Sequence, residues 1–242
     1  MTLKIVGVIP ARLGSTRLPN KVLLPIAGKP MIQHVWEQAK KIRGLDAVVI
    51  ACDDQKILDE VAKFGGKAVL TRVDHPNGTS RIEEAVEKTD VEIVVNIQGD
   101  QPLLDSLAIE ALADFLRNNP AVPMATLAIQ STDAAEYRNP NVVKVVQDAS
   151  GKALYFSRSP VPFLRDSEMT PEFWKHIGVY GYRKDFLKKF VSWPAGRLEE
   201  IEKLEQLRVL ERGYPIQVIE TKQDFISVDT AEDLKQAERL LS

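Results

Sequence analysis

An α/β fold built on a doubly wound, mostly parallel sheet is the class this sequence predicts, and three observations carry that reading. Short apolar runs alternate with segments of helical periodicity through the first 120 residues. Those runs are apolar at nearly every position, as strands covered on both faces are. From about residue 122 strand-like stretches follow, separated by Asn-Pro, Ser-Gly and Ser-Pro turns, which predicts a mixed or antiparallel extension.

Ile5-Val6-Gly7-Val8-Ile9 is the first strand and ends at Pro10. A helix over 31–42, a strand over 47–51, a helix over 55–64 and a short strand over 67–70 come next. Residues 81–87 then read as a helix, 92–97 as a buried strand and 106–117 as a helix. Beyond the change in texture, 142–147, 153–156 and 176–182 read as strands. Between Gly196 and Gly213, Leu198, Ile201, Leu204, Leu207, Val209 and Leu210 surround most of a helical axis, which predicts a largely buried helix. Residues 230–241 form a last helix with Glu232 and Asp233 in its first turn. No Gly/Ser-rich linker, repeat or low-complexity segment interrupts the chain, so one domain is expected over 1–242.

With 242 residues, 44% of them hydrophobic, a substantial core can be buried. The formal net charge of −2 leaves no electrostatic footprint for nucleic acid or an anionic membrane. Cys52 is the single cysteine, which excludes an internal disulfide and suits a reducing compartment, with Cys52 packing as a small hydrophobe at a strand end. The first apolar run is short and broken by Gly7 and Pro10, and no stretch nears the about 20 apolar residues that span a bilayer. A cytoplasmic location without membrane insertion is the expectation.

Ligands of such sheets bind beyond the carboxyl ends of the strands. The loop after the first strand carries Arg12, Arg17 and Lys21 beside Gly14, Ser15 and Thr16. Cations with small, backbone-exposing residues suit a polyphosphate, although a solvated basic loop has the same composition. Its single glycine excludes Walker A and dinucleotide fingerprints. Asp100, after a buried strand, and Asp229, after Phe225-Ile226-Ser227-Val228, are carboxylates able to hold Mg²⁺ at triphosphate oxygens or to serve as turn residues. The Gln98 amide offers both a donor and an acceptor for a base edge. In the polar turn 74–81, Gly78 permits close backbone approach and Thr79 and Arg81 offer a hydroxyl and a cation. Ser80 with Glu83 reads as a capping box. His75 reads as a loop residue, having no ligand-spaced partner. Glu205, on an apolar face, needs a buried ion-pair partner or a ligand.

The segment Ile-Pro-Ala-Arg-Leu-Gly-Ser-Thr-Arg-Leu-Pro-Asn-Lys (9–21), Asn96-Ile97-Gln98-Gly99-Asp100, Tyr155-Phe156-Ser157-Arg158, His176-Ile177-Gly178-Val179-Tyr180, Leu204-Glu205-Gln206-Leu207-Arg208 and Val228-Asp229-Thr230 occur in this order. Through them essentially the whole chain resembles the CTP-using 3-deoxy-manno-octulosonate (Kdo) cytidylyltransferases. The resemblance implies a nucleotide-diphospho-sugar transferase fold, with a mainly CTP-binding core over 1–120, a sugar-binding and dimerisation lobe over 121–229 and a terminal helix over 230–242. It places Ala11, Arg12, Gly14, Ser15, Lys21, Gly78, Thr79, Arg81 and Gln98 at the nucleotide, with Arg17 assisting. Arg12, Lys21, Asp100 and Asp229 become the catalytic set, with Mg²⁺ on the two acids. Gln101, Arg158, His176, Tyr182, Glu205 and Gln206 fall at the sugar acid, Arg158 as the partner of its carboxylate.

What the resemblance implies is formation of CMP-Kdo and pyrophosphate from CTP and Kdo for lipopolysaccharide assembly, by a cytoplasmic homodimer. Two departures stand out. Ser80 and Gln101 occupy positions where the family usually carries acids, and Gln101 keeps an 8-amino Kdo analogue or another sugar acid, such as a sialic acid, open as acceptor. A nucleotide-sugar-binding module without turnover is the alternative of a different class, against which Lys21, Asp100 and Asp229 argue.

Overall fold

The computed structural model describes residues 4–15, 18–166 and 168–241. Its elements are β1 (Ile5–Ala11), a 3₁₀ turn (Lys21–Leu23), the hairpin β2 (Pro25–Ile26) and β3 (Lys29–Pro30), α1 (Met31–Ala39), β4 (Ala47–Cys52), α2 (Gln55–Lys63), β5 (Ala68–Leu70), α3 (Gly78–Val86), β6 (Ile93–Asn96) and α4 (Ser106–Asn118). The second half adds β7 (Met124–Ser131), α5 (Ala134–Arg138), β8 (Lys144–Gln147), β9 (Ala153–Ser157), β10 (Phe173–Arg183), α6 (Lys184–Val191), α7 (Arg197–Glu202), α8 (Leu207–Glu211), β11 (Gln217–Glu220) and α9 (Ala231–Leu241).

Among the described residues, nine strands form one sheet, in the order β11-β7-β10-β6-β1-β4-β5, with β8 on β10 and β9 on β8. β6, β1, β4 and β5 run parallel, as the alternation predicts. Successive residues of β1 serve opposite layers. Ile5 and Ile9 join the cluster formed with α1, α2 and α4, whereas Val6 and Val8 join the one formed with α3, α6 and α8. Covering on both faces is why the run is apolar throughout. The second half continues this sheet. β10 lies antiparallel between β6 and β7, and β11 pairs parallel with β7. β7, α6 and β11 went unread in the sequence, and 225–228 form no strand. Cys52 ends β4, fully buried, as expected.

Two local expectations need correction. α3 starts at Gly78, and its cap is Asn77, whose side chain accepts from the Ser80 N–H at 2.9 Å. Ser80 instead sits inside the first turn, so the Ser80–Glu83 capping box does not form. The helix expected between Gly196 and Gly213 is two short helices, broken where Lys203 adopts φ 53°. Arg158 stabilises that break by donating from Nε to Glu202 O at 2.7 Å, which satisfies a carbonyl left open at the end of α7. The break turns Ile201 outward, 66% exposed, and leaves Glu205 on the connection between the helices.

Candidate active site

A cleft of about 410 Å³ opens at the carboxyl ends of β1 and β6. Three chain segments and one distant residue line it: Pro10, Ala11, Arg12, Ser15, Lys21 and Val22; His75, Pro76, Asn77, Gly78 and Arg81; Gln98, Gly99 and Asp100; and Asp229. Most of the residues expected at nucleotide and metal therefore meet in one place. Gly14 is in the same loop with open space around it, and Arg17 lies outside the described residues.

The backbone makes this cleft before any side chain does. Gly99 passes so close to β1 that a Cβ there would stand 2.8 Å from the Pro10 carbonyl oxygen, which cannot swing aside. Gly99→Ala is expected to force the two strand ends apart, lowering stability by about 1–3 kcal/mol, with a matching drop in the urea midpoint. At the β4 end, Asp53 accepts from the Leu13 N–H at 3.1 Å and from Arg81 Nη2 at 3.3 Å. Sequence reasoning passed over Asp53. Its signal was the one that marked Asp100, a carboxylate at a parallel strand's carboxyl end. Arg81 is buried, held also by Thr71 Oγ1 at 2.7 Å.

The charged centre is compact. Lys21 Nζ lies 2.7 Å from Asp100 Oδ2 and 2.9 Å from Asp229 Oδ1. Burial lowers the lysine pKa, but the charges and hydrogen bonds of the two acids outweigh it and hold it above the usual 10.5. The acids are set from behind. Val228 N donates to Asp100 O at 2.9 Å, and the Asp233 carboxylate at the start of α9 accepts from Asp229 N at 2.9 Å and Thr230 N at 2.8 Å. Gln101 also braces them, with Nε2 donating to Ser227 Oγ at 3.1 Å. Gln101 is buried and does not line the cleft, and in this structure it ties the two acid-bearing segments together. Arg12 is exposed and, among the described residues, makes no hydrogen bond or ion pair.

The residues expected at the sugar do not all converge. Arg158 commits Nε to Glu202 O and Nη1 to Pro140 O at 2.9 Å, so its guanidinium serves the end of α7. Tyr182 is a core residue, with the side chains of Thr79 and Asn96 near its hydroxyl. Burial, then the charge of Glu205, holds that phenol well above the usual range. Gln206 is buried with Nε2 unpartnered. Glu205 accepts from Asn77 Nδ2 and Thr79 Oγ1, both at 2.8 Å. Loss of hydration raises its pKa, partly offset by the Thr79 bond and Arg208. Arg208 itself pairs with Glu199 at 2.5 Å, so Glu205 is not half of a direct ion pair. Gln98 turns toward β10, its Nε2 donating to Gly178 O at 2.7 Å. His75 lines the cleft, bonded to Ser80 Oγ at 3.1 Å and to Glu84.

His176 lies between the rings of Phe156 and Tyr180, with Nε2 2.9 Å from Thr126 Oγ1. Burial lowers its pKa to about 3. Between pH 6.5 and about 3 the unfolded chain therefore binds a proton that the folded one does not. Stability is intact above that window and falls as pH drops through it, by up to about 1.4 kcal/mol per pH unit. His176→Gln is expected to flatten this slope in urea midpoints measured from pH 7 to 4.5.

Cations at a strand-end loop beside paired carboxylates define a nucleotidyltransferase cleft. The cytidylyltransferase family model matches residues 6–223. The 3-deoxy-manno-octulosonate cytidylyltransferase of Syntrophobacter fumaroxidans is 52% identical over 237 residues, 96% of this chain and 95% of that one. The 8-amino-3,8-dideoxy-manno-octulosonate cytidylyltransferase of Shewanella amazonensis is 49% identical over 96% of each chain. A solved structure of CMP:2-keto-3-deoxy-manno-octonic acid synthetase complexed with CTP superposes with a TM-score of 0.94 at 44% identity, covering 98% of both chains. The chain belongs to the cytidylyltransferase family.

Proposed function

We propose that this enzyme transfers the cytidylyl group of CTP to Kdo, giving CMP-Kdo and pyrophosphate. The observation that carries the reading is the strand-end cleft in which Arg12, Lys21, Asp100 and Asp229 converge. Full-length relatives named for this reaction support it. The triphosphate would lie along the loop after β1, with Arg12 free to meet its oxygens and backbone N–H groups of the loop beside it. The anomeric hydroxyl of the sugar acid attacks the α-phosphorus in line, forming the P–O bond to the sugar as the bond to pyrophosphate breaks. Such chemistry asks the protein mainly for positioning and charge neutralisation.

The donor set fits Mg²⁺, which is commonly held by one or two carboxylates plus substrate phosphates. Asp100 and Asp229 would hold it, and no group of three or more His, Cys, Asp or Glu side chains is placed for a metal among the described residues. When bound, the ion neutralises charge that builds on the phosphates. The same reading makes the protein a cytoplasmic homodimer serving lipopolysaccharide assembly. No helix among the described residues is long and apolar enough to cross a membrane. Exposed Leu154, Phe163 and Met169 in the second half offer apolar surface to another copy, checked by sedimentation.

Pyrophosphate release from CTP is the test, with Kdo, its 8-amino analogue and a sialic acid offered in parallel. Kdo is expected to give the highest kcat/KM. A preference for the 8-amino sugar would instead support the reading that the 49%-identical relative keeps open. Absence of release with every acceptor would remove the catalytic reading.

A further inference from the structure

We infer that Lys21 is a resident counter-ion for the metal position, so that a divalent cation settles between Asp100 and Asp229 only with the nucleotide. The inference rests on the cytidylyltransfer reading for the identity of the incoming phosphates, and on geometry for the rest. One ammonium nitrogen stands 2.7 Å from an Asp100 oxygen and 2.9 Å from an Asp229 oxygen, so it holds carboxylate oxygens that would serve a divalent cation. Lys21 is largely sheltered there, its side chain 14% exposed. Charge-assisted hydrogen bonds of this length are among the stronger polar contacts a protein makes.

The surrounding structure lets the ammonium move and holds the acids. Asp100 and Asp229 are fixed through main-chain bonds to Val228 and to the Asp233 cap. The Lys21 backbone is fixed as well, since Asn20 takes a left-handed conformation at φ 56° and Lys21 N donates to Leu18 O at 3.1 Å. Freedom remains in the four-carbon stem, whose compact charge can follow another anion. Two carboxylates alone are a poor cage for a hard divalent ion that sheds water reluctantly. A metal entering the nucleotide-free cleft would have to displace an ammonium, and among the described residues no third His, Cys, Asp or Glu side chain is grouped with the two acids. A triphosphate changes both sides of that balance, because its oxygens draw Lys21 away and then complete the coordination. Linkage makes the effect reciprocal, so metal and nucleotide strengthen each other's binding.

The test reads metal without turnover. Mn²⁺, followed by the electron paramagnetic resonance of its free form, is titrated into nucleotide-free enzyme. Wild type is expected to bind weakly, and Lys21→Met at least about tenfold more tightly, because the Lys21 ammonium no longer competes for the oxygens of both acids. Adding Asp229→Asn to Lys21→Met should abolish the gain, and Lys21→Arg, which keeps the charge, should bind as weakly as wild type. Circular dichroism and melting establish that each variant is folded. A folded Lys21→Met with no gain overturns the inference. So does wild-type enzyme that takes up Mn²⁺ at the two acids in the low-micromolar range without nucleotide, whatever the variants do. Failure of pyrophosphate release with every sugar acid would strike the function and leave these metal measurements standing.

Discussion

Asp100→Asn is expected to lower turnover by about a thousandfold, close to 4 kcal/mol in the barrier, while the protein melts within about 2 °C of wild type. The amide keeps the shape of the side chain but is a poorer ligand for hard Mg²⁺. Little else should change. The bond from Val228 N goes to the Asp100 main-chain oxygen and survives, and Lys21 keeps Asp229 at 2.9 Å. Gln101 still reaches Ser227. The assay is pyrophosphate release at saturating CTP and sugar acid across a Mg²⁺ titration. Near-normal turnover at saturating Mg²⁺ would remove Asp100 from the metal position. A large fall in melting temperature would mean that the carboxylate is structural, with Lys21 stranded beside a single acid.

The nucleotide half of the site was legible because its signals are local. An apolar run of parallel-strand length ends at Pro10, and the cations follow within a dozen residues, so position along the chain already implies position in the cleft. Asp100 follows from the same rule. Asp229 was recognisable as an acid, but its placement depends on the Asp233 cap and on the long-range bond from Val228 to Asp100, which no local pattern carries. The second half was harder to read for a related reason. β10 takes its place between β6 and β7 through pairings 42 to 90 residues distant in sequence. The break at Lys203 shows the same limit: the apolar spacing favoured one helix, and tertiary bonds from Arg158 to the carbonyls of Glu202 and Lys203 stabilise two. The buried positions of Tyr182 and Gln101 are likewise products of packing, and motif resemblance reports residue type without reporting which way a side chain faces.

Glu205→Gln is expected to reduce kcat/KM by about one to two powers of ten, the cost of a mismatched buried hydrogen bond of about 1–3 kcal/mol, and to do so for both substrates. Apolar periodicity left two readings open, a sugar ligand or half of an ion pair. Geometry alters the second, because Arg208 is taken by Glu199 and the direct partners of Glu205 are the neutral donors Asn77 and Thr79. Removing its charge therefore strands no directly paired cation, and the large stability loss of a broken buried ion pair is not expected. The new amide instead aims N–H at a group that already donates. Asn77 caps α3 and lines the cleft, and Thr79 is the second residue of that helix, against Tyr182. Disturbing them moves the 75–81 wall on the nucleotide side, while the adjoining Gln206 segment carries the expected sugar contacts. KM for CTP and for the sugar acid should both rise, with a melting temperature lower by a few degrees at most. A rise confined to the sugar acid would make Glu205 a sugar ligand whose bonds to Asn77 and Thr79 are incidental. A fall in melting temperature with both KM values unchanged would reduce it to a structural carboxylate.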